Sequence, residues 1–186
     1  MSNDNDFTAD PDAGRGEVTR IYPQAPLVGV GAIVFNRGRV LLVRRAKDPR
    51  RGQWSLPGGL QKLGETVAEA ACREVMEEAS LAIRVLGLAD VVDLIERDNG
   101  DDNVGDGAGD AAGGDDVGDH STGRVRYHYT LVDLVACCGD DAIRPGSDAA
   151  EVVWADVGAL EAYGLWAETI RVIALALERW RAAGSP

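Results

Sequence analysis

From Leu27 onward the chain alternates apolar runs with polar breaks. Leu27 to Phe35 (LVGVGAIVF) and Arg39 to Arg45 (RVLLVRR) are rich in Val, Ile and Leu and predict two strands. Asn36-Arg37-Gly38 between them has the size and the glycine of a hairpin turn. Trp54-Ser55-Leu56 predicts a short extended piece, and Pro57-Gly58-Gly59 is expected to end it. The period then becomes helical. Thr66-Val67-Ala68-Glu69 reads as a capping box, and good helix formers continue to Ala79. Ile83 to Ile95 and Arg124 to Cys137 predict two longer strands, and Val152-Val153-Trp154 a short one. Trp166 to Arg181 predicts a closing helix with one apolar stripe at Trp166, Ile170, Ile173, Leu177 and Trp180. That stripe is expected to pack on a sheet, with a homodimer seam as the alternative. Strands first, then a helix, then strands and a closing helix predict an α/β (α+β) fold: a mixed β-sheet between helices.

Two polar segments interrupt this pattern. Residues 1–24 lack an apolar period and are expected to form a disordered acidic arm. Residues 98–123 are mostly Gly, Asp, Ala and Asn, and predict a flexible insertion within one domain spanning 25–182. An Asp/Gly calcium repeat is the weaker reading of the insertion, because it has no fixed period. Residues 1–17 carry −4 and residues 98–119 carry −8, which together account for the formal net charge of −12, so the rest of the chain is neutral. A neutral fold gives no overall steering toward nucleic acid, which argues against a nucleic-acid partner. The chain contains no apolar run long enough for a transmembrane helix, and its acidic start does not resemble a secretory signal. Three cysteines, Cys72, Cys137 and Cys138, form no disulfide framework and no spaced zinc quartet, so a reducing cytoplasm is the expected compartment.

The chemistry is concentrated in the first helix. At about 100° per residue, Glu74, Glu77 and Glu78 fall within an arc of about 100°, on the border of the helix's apolar face. A solvated acidic face is one explanation of such an arc. Hard oxygen donors for Mg2+ or Mn2+, completed by substrate phosphates, are the other. Spacing alone leaves both open.

The segment Gly59-x5-Glu65-x7-Arg73-Glu74-Val75-x-Glu77-Glu78-x-Ser80-Leu81 resembles the Nudix box over 23 residues of fixed spacing. It departs at Ser80, where the family has Gly. A residue with a Cβ at a left-handed helix end costs about 1 kcal/mol, so Ser80 is expected to slacken the helix end or shift its cap. The resemblance extends over about residues 26–181 and implies a Nudix-type α/β/α sandwich.

Site residues follow from the resemblance one at a time. Glu74, Glu77 and Glu78 are implied as ligands of Mg2+ (or Mn2+). Arg73 is implied to orient a box carboxylate, with Glu65 as a supporting partner and Gly59 letting the backbone turn beside the site. Apart from the resemblance, Arg44, Arg45 and Lys47 are candidate phosphate-binding groups; strand alternation sends Arg44 and Arg45 to opposite faces, so at most one of the two points at the site, and Arg45 is the one taken forward. Some members add a late-loop acid. Here Asp148 is the first choice, Glu151 the second, and Glu96 the third. The implied reaction is metal-assisted hydrolysis of the pyrophosphate bond in a nucleoside diphosphate linked to another group X, with a small-molecule nucleotide as substrate. The stretch from Arg126 to Asp133, with Gly146-Ser147-Asp148, is similar to bacterial ADP-ribose pyrophosphatases, which favours ADP-ribose or a related nucleotide sugar. Alternatives are a nucleoside triphosphate pyrophosphohydrolase that cleans the nucleotide pool, and a non-catalytic nucleotide-sensing domain.

Overall fold

The structure is a computed structural model describing residues 19–47, 50–98, 123–146 and 148–182. The expected insertion lies almost wholly outside the described residues, as do residues 1–18 of the expected arm. The last part of that arm, from residue 19, is described. Within it, the Tyr22 amide donates to the Arg126 carbonyl at 2.8 Å and its hydroxyl donates to Asp98 at 2.8 Å.

A seven-stranded mixed sheet carries the fold. Its strands are β1 (Leu27–Asn36), β2 (Arg39–Arg45), β3 (Trp54–Ser55), β4 (Gly58–Leu60), β5 (Ile83–Arg97), β6 (Val125–Cys138) and β7 (Ala149–Asp156). Two helices complete it, α1 (Val67–Ala79) and α2 (Ala167–Ala182). β1 and β6 run parallel, from Leu27 opposite Tyr129 to Phe35 opposite Cys137. The remaining pairings are antiparallel. β1 pairs with β4 along its first half and with β2 only at Phe35 and Asn36. From there β2 continues alongside β3 and β7.

Alternation along the central strands divides the core in two. Ile33, Phe35, Val40, Leu42 and Val135 face α2, while Val30, Ala32, Val34, Leu41 and Leu134 face α1. α2 therefore packs on the sheet, with Ile173 and Trp180 buried and Ile170 and Leu177 partly so. Trp166, expected in the same stripe, precedes the helix and stays exposed.

Two expectations change. Pro57-Gly58-Gly59 does not end regular structure, because Gly58–Leu60 form β4 against β1. The physical reason is close approach: a Cβ on Gly58 would lie 3.1 Å from the Gly31 Cα, so only glycine lets these backbones meet. Ser80 neither slackens the helix end nor shifts its cap. α1 stops at Ala79, and Ser80 takes the left-handed conformation (φ 54°, ψ 33°) with its amide donating to Met76 at 3.1 Å. At the other end the Thr66–Glu69 capping box forms in both directions.

Candidate active site

α1 lays its C-terminal half against β4 and the loop before β7. Glu78 is 9% exposed, and its carboxylate accepts the Gly58 amide at 3.0 Å. Burial raises its pKa to about 7. The nearby charges of Glu74 and Asp148 add to the rise, while the Gly58 hydrogen bond and Arg45 oppose it. Glu74 lies against Gly59, where a Cβ would come within 2.6 Å of the carboxyl carbon. Gly59 therefore makes room for a carboxylate as well as for a turn. Glu77 is half exposed and pairs loosely with Arg73 (3.4 Å) and Lys62 (3.8 Å).

Arg73 organises this face. Its Nε and one terminal nitrogen grip Glu65 at 2.6 and 2.9 Å, and the same terminal nitrogen donates to the Leu60 carbonyl at 3.1 Å. Its other terminal nitrogen holds Glu74 at 2.6 Å. The two-pronged contact lowers the Glu65 pKa to about 2, and Glu65 and Glu74 together hold the guanidinium well above its ordinary value. Arg73 thus ties the β4–α1 loop to the carboxylate beside Gly59.

The late loop is fastened to the end of α1 by the backbone. The Arg144 amide donates to Ala79 at 3.0 Å and the Gly146 amide to Glu78 at 2.9 Å, satisfying helix carbonyls that would otherwise lack partners. A Cβ on Gly146 would lie 2.8 Å from the Glu77 carbonyl carbon, so this docking requires glycine. Asp148 follows and forms an ion pair with Lys47. Its charge acts on Glu78, as does that of Arg45. Glu151 instead sits opposite Arg44 across β2 and β7 and pairs with it at 3.6 Å. Glu96 pairs with Arg50. Trp54 packs edge-on against Tyr163, with ring centroids 5.3 Å apart.

The structure therefore brings Glu74, Glu77, Glu78, Arg73, Gly59, Arg45 and Asp148 to one region. Among the described residues, no set of three or more Asp, Glu, His or Cys side chains is gathered closely enough to hold a metal ion. The three helix carboxylates are each engaged elsewhere, by Arg73, by Lys62 and by Gly58. The donor set still fits a hard divalent cation. It consists of carboxylate oxygens borne on successive turns of α1. Sequence reasoning missed the Gly146 docking and the buried Asp133 on β6. The one available signal was a single acid within the apolar run Thr130–Cys137.

Comparison with known proteins identifies the family. Residues 25–175 match the family model described as NUDIX domain. An ADP-ribose pyrophosphatase of Methanocaldococcus jannaschii is 40% identical over 73 residues, covering 39% of this chain and 43% of that protein. The human 8-oxo-dGDP phosphatase NUDT18 is 44% identical over 62 residues, covering 33% of this chain and 19% of that protein. The match thus spans less than half the length of these curated relatives. Among solved structures, a MutT NUDIX hydrolase from Burkholderia pseudomallei superposes with TM-score 0.59 at 28% identity, covering 82% of this chain and 98% of that one. The NUDIX domain of Shewanella oneidensis NrtR, complexed with ADP ribose, superposes with TM-score 0.60 at 21% identity, covering 92% and 94%.

Proposed function

Because this chain belongs to the NUDIX domain family, we propose that it hydrolyses the pyrophosphate bond of a nucleoside diphosphate linked to another group, ADP-ribose or a related nucleotide sugar, with Mg2+ or Mn2+. The observation that carries the reading is the Glu78 carboxyl group, buried on α1 against the Gly58 amide with Glu74 and Asp148 near it. Glu74, Glu77 and Glu78 would hold the metal, which when bound neutralises the diphosphate and lowers the pKa of an attacking water. Arg73 keeps Glu74 aimed at the β4 side through its grip on Glu65. Arg45, whose charge already reaches Glu78, binds a substrate phosphate. Asp148, or one of the box glutamates, takes the proton of the attacking water. Its loop is held to α1 by the Gly146 amide.

The nucleotide-sugar substrate is supported by the name of the Methanocaldococcus jannaschii relative. The identity to 8-oxo-dGDP phosphatases supports a second reading, hydrolysis of damaged nucleotides. Formation of the nucleoside monophosphate from ADP-ribose, UDP-glucose, dGTP and 8-oxo-dGDP, each with Mg2+ or Mn2+, decides between them. Turnover of none of these with either metal overturns the hydrolase reading. Among the described residues, no helix is long and apolar enough to cross a membrane.

A further inference from the structure

β2 and β7 run side by side, and their pairing shifts by one residue at Arg44–Arg45: Arg44 faces Glu151, but Arg45 faces Ala149. This bulge sets Ala46 against Asp148, whose carbonyl accepts the Ala46 amide at 3.2 Å. Lys47 comes next, and its ammonium pairs with the Asp148 carboxylate. From the other side, the loop that carries Asp148 is docked on α1 through the Gly146 amide. Asp148 thus stands where the end of α1, the start of β7 and the end of β2 meet. Arg44, Lys47 and Arg50 each pair with an acid, Glu151, Asp148 and Glu96 in turn. Among those acids it is Asp148 whose charge reaches Glu78.

Stability does not explain the Lys47–Asp148 pair. Its side chains are 67% and 54% exposed, and ion pairs that exposed hold a fold together only weakly. The loop is docked instead by backbone hydrogen bonds on both sides of Asp148, at Ala46 and at Gly146. Chemistry gives the pair more to do. An ammonium presents three N–H donors, and one carboxylate engages it from one direction, so a second anion can share it. A diphosphate bound beside Glu78 brings negative charge toward Asp148. The carboxylate and the phosphate repel each other unless a cation stands between them. Lys47 lies two residues beyond Arg45, the cation whose charge already acts on Glu78, and carries its own charge on a long flexible stem.

We infer that Lys47 couples substrate binding to proton removal. Its ammonium holds Asp148 and a phosphate oxygen of the substrate together, so that the carboxylate is aimed at the attacking water only once the diphosphate is in place. The water oxygen bonds to phosphorus as the anhydride P–O bond breaks, and the electron pair of that bond leaves with the departing phosphate. The water proton passes to Asp148, and Lys47 keeps its own. The inference rests on the hydrolase reading above, with Asp148 as the proton acceptor.

The test is a cycle of Lys47→Met, Asp148→Ala and the double variant. Two measurements are made: kcat and KM with Mg2+ on whichever nucleotide wild type hydrolyses, and calorimetric binding of inorganic pyrophosphate without metal. Lys47→Met should raise KM, weaken pyrophosphate binding and lower kcat, each by about tenfold. In the Asp148→Ala background the same change should raise KM again but leave kcat where it is, because the carboxylate that Lys47 aims is gone. A lysine that only braced the loop would shift the melting temperature and neither kinetic constant. Equal kcat losses with and without Asp148 overturn the inference, as do unchanged KM and pyrophosphate affinity in Lys47→Met. A fully active Asp148→Ala overturns it too, and leaves the hydrolase reading standing. Wild type that hydrolyses nothing, yet binds pyrophosphate in a manner that depends on Lys47, keeps the phosphate contact and overturns the hydrolase reading instead.

Discussion

An unpartnered buried carboxylate should cost stability, and Asp133 allows that cost to be measured. Burial first, and the neighbouring Asp90 charge second, raise its pKa from the ordinary 3.8 to about 6. The folded protein therefore binds this proton more tightly than the unfolded chain. Below pH about 4 both states hold the proton and nothing is lost. Between pH about 4 and 6 the unfolded chain releases it first, so stability falls as pH rises; above pH about 6 the full cost is present. Two pKa units correspond to about 3 kcal/mol. Asp133→Asn removes the ionisation, so its unfolding free energy relative to wild type should rise by about 3 kcal/mol between pH 4 and 7. Urea unfolding at pH 4, 5, 6, 7 and 8, followed by the fluorescence of buried Trp180, measures the difference. Other groups, including Glu78 with its own raised pKa, titrate in both proteins and cancel. A difference that stays constant with pH refutes the reasoning, whatever its size, because it would mean that Asp133 ionises without hindrance in the fold.

Further outcomes follow from the site and the helix end. Glu78→Gln should keep the fold and lower kcat by about 100-fold or more in metal-supplemented assays; near-wild-type turnover would move the site elsewhere. Ser80→Gly should raise thermal stability by about 1 kcal/mol, because Ser80 holds a left-handed conformation that glycine adopts freely, and a neutral or destabilising result contradicts this. Asp148→Ala should lose kcat, whereas Glu151→Ala should change stability by no more than about 0.5 kcal/mol, since it breaks an exposed pair with Arg44. The reverse pattern would place the reactive acid on β7. Gly146→Ala should destabilise by about 1–3 kcal/mol by forcing the late loop off the Glu77 carbonyl, and melting curves check it.

Much of this architecture was legible because local signals and packing agree. The Thr66–Glu69 box starts α1 where expected, the 39–45 strand follows its turn, and Ile170, Ile173, Leu177 and Trp180 meet the sheet as their spacing requires. The spacing of the box also carries Arg73 and the three glutamates on α1, within reach of one another. What stayed hidden depends on partners distant in sequence. Pro57-Gly58-Gly59 looks like a stop until Gly31 is set opposite it, since glycine pairs signal a strand only when two backbones must touch. Gly146 looks like a loop residue until the end of α1 requires its amide. The partners of the three carboxylates are likewise absent from the helix arc. Arg73, Lys62 and Gly58 each draw one away, and a helix projection contains none of those partners.

Glu78 and Asp133 show the same choice made twice. Each is a carboxylate in surroundings that oppose its charge, and each stands beside one member of the Gly31–Gly58 pair. Structural economy would favour apolar side chains at both places, since replacing an unpaired buried charge is seldom costly. Packing does not require the acids either. Gly31 makes room for Asp133 only by removing a side chain from the centre of β1, which weakens that strand. Two such losses are hard to attribute to folding alone. A cation at Glu78 would relieve a carboxylate held in low dielectric. On that account, a divalent metal should raise the melting temperature of wild type. Asp133→Asn should leave that shift, and Glu78→Gln should reduce it. Loss of the shift in Asp133→Asn would mean that the two acids serve one site.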